Sequence, residues 1–458
     1  MKSALHLCRP SVGRIVSVVL ASAALLGCET TEDAKVPVAG GGGVGAGGLT
    51  GTPQPGQQWT MQDGGSGAGI GKNRPKMSDA AAAIFAQGMT AFVGGDLQNA
   101  KKLFAQATQT DPKAYQAYYS LGVVQERLKD DSGALASYRQ AYTIISDYEP
   151  AIVSFALLKA RKGNGGEADS FLTQKKNELP KSAAVLAALA EVKSLAKDSG
   201  SAQTLAGEAL KINPDYKPAM IVIARDYYRS RKIDLALYAL KAILDGYDKD
   251  NTARDKENAE ALLLRGLIYK EQGDRAGAMD QFTKAVARRP DLVEARVQLA
   301  TFLLQAGSGD QALPLVEGAL RFDSENLSAH LLLGDCYRLQ GKVAEAKQRF
   351  DYVISKDASL PQVHYNYGLL YLFAPSVPGM TPMQQVDAAS ASLKKFQELR
   401  PKGESDDSDE LLNRAKLKRG ELEAAKAAAT PAAPPPKDAA PAAPAKDAAP
   451  AKAPDAKK

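Results

Sequence analysis

The sequence contains little of the material from which metal sites, disulfide frameworks and large β-sheets are built. Its 458 residues include three cysteines, three histidines and one tryptophan, and aromatic residues make up 6% of the chain. So few cysteines and histidines leave no disulfide framework and little material for a metal site. A large β-sandwich or barrel would need more aromatic and β-branched residues. We therefore expect an all-α protein rich in alanine.

Sequence motifs for catalysis and nucleotide binding are missing or out of context. The chain has no G-x-S-x-G elbow and no H-E-x-x-H pair. Residues 43–48 satisfy G-x-G-x-x-G, but no strand precedes them and no helix follows them in this Gly-rich stretch. We expect no enzyme, no cofactor and no small-molecule substrate.

The amino terminus has the pattern of an export signal. Residues 1–14 carry three basic residues and no acid, and residues 15–26 form an almost unbroken apolar run. The run is too short for a stable membrane span, and its flanks fit a signal peptide. It ends at Leu25-Leu26-Gly27-Cys28, which resembles the bacterial lipobox.

This resemblance implies a lipoprotein whose residues 1–27 are removed. Cys28 would then carry a diacylglycerol and an acyl chain, and Glu29, in the place where inner-membrane lipoproteins have Asp, implies transfer to the outer membrane. An ordinary secretory signal with an incidental cysteine is the alternative. Loss of three basic residues lowers the formal charge from +6 to +3, so nucleic-acid binding has no electrostatic support.

Two low-complexity segments flank the middle of the chain. Residues 28–77 comprise the acylated Cys and a Gly-rich stretch that we expect to be a flexible linker. Trp59 is the one linker residue that could dock onto another surface, although a chance exposed tryptophan is the favoured interpretation. Residues 431–458 contain only Pro, Ala, Lys and Asp, and we expect a disordered tail.

Between these segments, small residues recur at a fixed period. Nine positions spaced by 34 residues, with one step of 42, all hold Gly or Ala, and a large residue stands sixteen positions after most of them. The nine positions are Gly88, Gly122, Ala156, Ala190, Ala224, Gly266, Ala300, Gly334 and Gly368. Such a period predicts helix-turn-helix units in which small residues let two helices approach closely.

The pattern resembles the tetratricopeptide repeat (TPR) family, most fully at Gly266, Tyr269, Ala278, Phe282, Ala285 and Pro290. The resemblance implies a right-handed TPR superhelix, an α-solenoid of about nine repeats over residues 78–403. Residues 404–430 follow as a capping helix, with an acidic protein-binding motif at residues 404–410 as the alternative.

In this family one face of each first helix lines a concave groove. Here most of those positions are apolar, which favours an amphipathic helix or an extended apolar segment of another protein as ligand. The alternative is that some of these side chains simply pack against neighbouring units. The apolar groove residues are Phe85, Met89, Phe92, Tyr119, Val153, Leu157, Ile221, Leu263, Leu267, Val297, Leu331, Tyr365 and Leu369.

Polar groove positions form a second set of candidate contacts. Arg225, Tyr228 and Arg229 cluster in one unit, and Asp335 and Arg338 in another. Arg and Tyr are typical interface anchors, although solvated helix surface is the alternative.

A metal site at His330, His364 and Cys336 is an open alternative. The two histidines hold the same position in adjacent units, but the cysteine lies beside the small-residue seam and no third convergent ligand is evident. We expect no metal.

The domain plan is similar to that of outer-membrane lipoproteins in cell-envelope machines. We expect a scaffold that binds other envelope proteins through its groove, is held to the outer membrane by lipid and faces the periplasm, with a gliding-motility complex as first choice. A pilotin-like assembly lipoprotein for a type IV pilus secretin is one alternative. An adaptor for a periplasmic protease or peptidoglycan enzyme is another.

Overall fold

The computed structural model describes residues 74–400 and 406–429, which contain nineteen α-helices and belong to one compact unit. The first eighteen helices form nine pairs, as the sequence period predicted, and α19 follows the last pair. None of the described helices combines the length and the hydrophobicity needed to cross a membrane. The lipobox with Cys28, the linker with Trp59 and the tail from residue 431 lie outside the described residues.

The helices have the following bounds: α1 Asp79–Val93, α2 Leu97–Thr110, α3 Tyr115–Arg127, α4 Asp131–Ile144, α5 Glu149–Arg161, α6 Gly165–Glu178, α7 Ala183–Leu195, α8 Ser199–Ile212, α9 Lys217–Arg229, α10 Ile233–Leu244, α11 Ala259–Gln272, α12 Arg275–Arg288, α13 Val293–Gln305, α14 Gly309–Phe322, α15 Leu327–Leu339, α16 Val343–Lys356, α17 Pro361–Phe373, α18 Pro382–Leu399 and α19 Ser408–Ala429.

Short polar residues start many of these helices. Asp96, Asp130 and Asp274 each accept a hydrogen bond from the backbone N–H three residues ahead, at the start of a second helix. Asn258 and Asn326 do the same at the start of α11 and α15. Such side chains satisfy backbone donors that the helix itself leaves free. The turn residues therefore fix where these five helices begin.

The seam within each pair matches a small residue to a large one. A Cβ added to Gly266 would lie 2.5 Å from a ring carbon of Phe282, and one added to Gly122 would lie 2.6 Å from the ring of Tyr138. Where the second helix has a smaller residue at the seam, the first helix has alanine instead of glycine. Ala190 and Ala206 form such a buried pair. Close approach of the two helices buries this seam and forms the core of each unit.

Helix α19 packs on the last pair. Leu411 and Ala415 are buried against α17 and α18, together with Leu372 and Leu393. The Lys418 ammonium also donates to the Leu372 carbonyl at 3.0 Å. This helix therefore covers apolar surface that the last pair would otherwise expose.

Candidate functional site

Five consecutive first helices, α3, α5, α7, α9 and α11, surround a cavity of about 870 Å³. Each turns the same face toward it, because residues one repeat apart hold equivalent places. Val153 of α5, Ile221 of α9 and Leu263 of α11 form one row of the wall, and Leu157 and Leu267 belong to a second row one helical turn further on. The repeat period thus builds an apolar wall from separate stretches of sequence.

Charged residues cross this wall as a chain of ion pairs. Glu191 of α7 pairs with Arg229 at 2.8 Å and with Arg225 at 3.2 Å. Arg225 lies 3.9 Å from Glu260, which lies 3.4 Å from Arg289. These carboxylates and guanidinium groups offset one another, so the wall does not select a ligand by net charge.

The chain of ion pairs ends in contacts between distant parts of the sequence. Asp291 is 8% exposed and accepts hydrogen bonds from Arg289 at 2.8 Å and from Arg127, at the end of α3, at 2.5 Å. The Arg127 guanidinium also lies 4.8 Å from the ring centroid of Phe92 and 5.7 Å from that of Phe322. We call Arg127, Asp291, Phe92 and Phe322 the cross-contact. It joins the first two helix pairs to the sixth and seventh.

These surroundings shift the pKa values of two buried groups, Asp291 and Tyr119. Burial by itself would raise the pKa of Asp291, but the hydrogen bonds and charges of Arg289 and Arg127 outweigh it and hold that pKa well below its usual range. Burial raises the pKa of Tyr119, in the cavity wall, to about 12. At neutral pH the site therefore holds a carboxylate at position 291 and a neutral phenol at position 119.

Seven of the residues predicted for the groove line the cavity. They are Tyr119, Val153, Leu157, Ile221, Arg225, Leu263 and Leu267. Four cavity residues that the sequence analysis did not single out are Glu191, Glu260, Arg289 and Lys217. Glu191 stands one period after Leu157 and one before Arg225, so the period itself could have identified it.

Other predicted groove residues lie elsewhere in the structure. In α1, Met89 and Phe92 are only 1% and 3% exposed and belong to the core of the first two pairs. Phe85 packs against Phe104, with ring centroids 5.3 Å apart. These three side chains fill the interior of the array instead of the cavity wall.

Two more predicted residues lie at the end of α9. Arg229 reaches Glu191, and its Nη1 donates to Ser194 Oγ at 3.0 Å. Tyr228 is half-buried, and burial together with the hydrogen bond to Glu271 raises its pKa. Both side chains are engaged within the array, one of them with a residue of the cavity wall.

In the last three pairs the predicted positions are occupied by contacts within the chain. Val297 packs against a core formed by α13, α14 and α15, and Leu331 is buried in the next cluster. Asp335 accepts hydrogen bonds from Arg338 at 2.9 Å and from Asn366 at 2.7 Å, and burial raises its pKa.

The final pair, α17/α18, has its groove face covered by α19. Tyr365 donates to Asp407 at 2.9 Å. Leu369 packs in the cluster that contains Leu411 and Leu412 of α19. The same face is therefore open at α5 to α11 and covered at α17.

The histidines and the cysteine considered for a metal site do not converge. His330 Nε2 lies 2.9 Å from the Ser324 carbonyl, and His364 Nε2 lies 2.9 Å from the Ala358 carbonyl. Cys336 is fully buried, and burial raises the pKa of its thiol to about 12. In residues 74–400 and 406–429 no group of three or more His, Cys, Asp or Glu side chains is arranged to hold a metal ion.

Stacked helix pairs around an open apolar cavity define a helical-repeat interaction scaffold. Family models described as tetratricopeptide repeat match residues 85–150 and 221–293, and a further one matches residues 303–365. The chain therefore contains tetratricopeptide repeats, and the predicted TPR superhelix is confirmed. Proteins of this fold are typically non-enzymatic scaffolds that bind other proteins or peptides.

Solved structures similar to this chain include the APC/C hetero-tetramer Cut9–Hcn1, at 14% identity over 76% of this chain and 79% of that one, with a TM-score of 0.46. PilW, described as a widely conserved type IV pilus biogenesis factor, is 20% identical over 49% of this chain and 99% of its own, with a TM-score of 0.34. Pseudomonas aeruginosa pilF is 21% identical over 48% and 96%, with a TM-score of 0.31. Similarity at these values does not extend to a shared partner.

Proposed function

We propose that this chain is a membrane-anchored, non-enzymatic scaffold of a bacterial cell-envelope machine, with a gliding-motility complex as the machine of first choice. Its cavity binds a segment of another envelope protein, and acylated Cys28 holds it at the periplasmic face of the outer membrane. The observation that carries the proposal is the apolar wall formed by Val153, Leu157, Ile221, Leu263 and Leu267.

The chain itself supports an amphipathic helix as the bound segment. Tyr365 and Leu369 hold the repeat positions that Tyr119 and Val123 hold in the cavity. At α17 these two positions contact α19. Tyr365 binds Asp407, which directly precedes α19, and Leu369 packs with leucines of α19. An amphipathic helix from a partner could present the same kinds of side chain, an acidic group and leucines, to the open wall.

A double substitution in the wall tests the binding proposal. Leu263 and Leu267 are both half-buried and both line the cavity. Leu263→Asp with Leu267→Asp places two carboxylates where apolar side chains of the partner would be buried, and we expect recovery of the envelope partner to fall at least tenfold. The measurement is affinity capture of the intact lipoprotein with mass spectrometry of the proteins bound.

The matched control is Leu235→Asp with Leu339→Asp. Both leucines are exposed, at 46% and 43%, and neither lines the cavity. Equal capture by all three proteins, with unchanged helical circular dichroism, would refute binding at the cavity. Recovery of secretin subunits instead of motility proteins would assign the scaffold to pilus assembly.

The anchor has its own experiment. Cys28→Ala removes the acylated residue, so we expect the protein to leave the outer-membrane fraction for the soluble periplasmic fraction. Retention of the variant in the outer membrane would contradict lipid anchoring at Cys28.

A further inference from the structure

The chain before α1 follows the edge of the array where the first helices begin. The Ser78 N–H donates to the Asp111 carboxylate at 2.9 Å, beside the α2–α3 turn. Four residues earlier, Arg74 lies 3.5 Å from Asp147, and its guanidinium lies 5.9 Å from the ring centroid of Tyr148. Within five residues the chain has thus passed from the first helix pair to the start of the third.

That position is the rim of the cavity. Tyr148 directly precedes Glu149 and Pro150, which both line the cavity. Its ring also packs edge-on against Tyr119, another lining residue, with centroids 5.7 Å apart. Arg74, the first described residue, therefore lies at the rim of the cavity and not at the opposite face of the array.

The preceding sequence suits an apolar wall in which Glu191 and Glu260 are already paired with arginines. No charged residue occurs between residues 39 and 62, and this stretch contains Trp59, the only tryptophan of the chain, followed closely by Met61. Such a segment buries apolar area without leaving a charge unpaired. An indole ring also offers more buried area than any other side chain.

The length of the chain between Trp59 and Arg74, and the effective concentration that it produces, both favour contact of Trp59 with the cavity. Trp59 stands fifteen residues before Arg74, and at 3.3–3.6 Å per residue the chain between them spans up to about 50 Å. A tether of this length holds its end at an effective concentration in the millimolar range. A cavity of about 870 Å³ is of the size that holds a compact ligand, so even weak binding of the segment would occupy it.

We propose that the segment around Trp59, residues 57–61, occupies the cavity when no partner is bound, so that a partner must displace it. The segment acts as an internal competitor. It lowers the apparent affinity of the partner by the fraction of molecules in which the cavity is filled. The inference rests on the proposed function only in using the same site, since docking of Trp59 requires no partner.

Trp59 supplies its own probe, because no other tryptophan contributes to the fluorescence of the chain. We expect acrylamide to quench the full-length protein several-fold less than the same chain in concentrated urea. Leu263→Asp with Leu267→Asp should raise quenching toward the value in urea, because the cavity no longer buries the indole. Leu235→Asp with Leu339→Asp, outside the cavity, should leave quenching unchanged.

Equal quenching of the native and the urea-treated chain would overturn the proposal. So would quenching that the cavity variant does not change, because Trp59 would then be buried elsewhere. A photo-crosslinking residue in place of Trp59 gives a second measurement that needs no cavity substitution. Crosslinks to α3, α5, α7, α9 or α11 support the proposal, and crosslinks only to other helices, or none, overturn it.

The two proposals fail separately. If the cavity variant loses its partner while Trp59 quenching stays the same, the internal competitor is refuted and partner binding stands. If quenching rises while partner capture is unchanged, the segment docks but the cavity is not the partner site.

Discussion

The helix pairs α7/α8 and α11/α12 hold equivalent places in the array and solve the same packing problem with different residues. In α11/α12, Gly266 receives the ring of Phe282, and a Cβ at residue 266 would lie 2.5 Å from that ring. In α7/α8, Ala190 and Ala206 are both fully buried in one cluster. In α11/α12 the side-chain volume lies almost entirely on one side of the seam, whereas in α7/α8 it is divided between both sides.

This difference shows that the period specifies a combined volume and not a residue type. Glycine inside a helix costs about 1 kcal/mol relative to alanine. Full burial of a phenylalanine ring contributes more than that, roughly 2–3 kcal/mol. A Gly and Phe seam is therefore as effective as an Ala and Ala seam, provided that both positions change together.

The largest expected effect comes from changing only one side of the aromatic seam. Gly266→Ala introduces a methyl group against Phe282, and overpacking of about 3 kcal/mol, less the helix-propensity gain of about 1, should destabilise the protein by about 2 kcal/mol. Urea unfolding followed by circular dichroism measures this loss.

A second substitution on the other side of the seam should restore most of the stability. Phe282→Leu in the Gly266→Ala background recreates the Ala156 and Leu172 seam of α5/α6, whose two residues are fully buried together. The double variant should therefore be more stable than the sum of the two single changes indicates. Strict additivity would show that the two positions are not coupled.

The sequence could predict this seam because each unit is built from local contacts. Gly266 and Phe282 stand sixteen residues apart, and the same spacing recurs in the other pairs except α17/α18, where Gly368 meets Leu393. The cavity wall was predictable for the same reason, since Val153, Ile221 and Leu263 hold one repeat position. Period alone fixes which face each helix turns to the cavity.

The cross-contact could not be predicted in this way. Arg127 and Asp291 are 164 residues apart, and their meeting depends on the small rotations between successive helix pairs, which accumulate along the array. That contact also covers Phe92, which has the spacing of a groove residue but is buried under Arg127. Local patterns do not encode which distant surfaces meet.

The turns after α8 and α12 each contain an aspartate, but only the one after α12 is buried. This difference predicts different effects of the same substitution. Asp291 is buried between Arg127 and Arg289, whereas Asp215, its counterpart two array positions earlier, forms an exposed pair with Arg254 at 2.7 Å. Asp291→Asn should destabilise the protein by about 1.5 kcal/mol at neutral pH, because the three charge-assisted hydrogen bonds from Arg127 and Arg289 are lost or lose the acceptor's charge. Asp215→Asn should change stability by less than about 0.5 kcal/mol.

The pH dependence separates the two substitutions further. Because the folded pKa of Asp291 lies below the unfolded value of about 3.9, its carboxylate stabilises the protein above about pH 4, and this contribution is lost as the pH falls below that value. The difference between wild type and Asp291→Asn should therefore shrink in acid. An equal difference at pH 7 and at pH 3 would argue against a stabilising carboxylate.

The smallest expected effect lies in the turn between the two helices of each pair. Gly273 has φ of 82° in α11/α12, but in α7/α8 the equivalent position is Lys197, with φ of 64°. A residue with a side chain in this left-handed region destabilises the folded state by about 1–2 kcal/mol. Glycine removes that strain, but part of the gain is offset because glycine makes the unfolded chain more flexible. Lys197→Gly should therefore stabilise the protein by about 0.5–1 kcal/mol in urea unfolding. Lys181→Gly, at another exposed turn lysine without a positive φ, should bring no gain, and an equal gain there would mean that the left-handed backbone at residue 197 is not the cause.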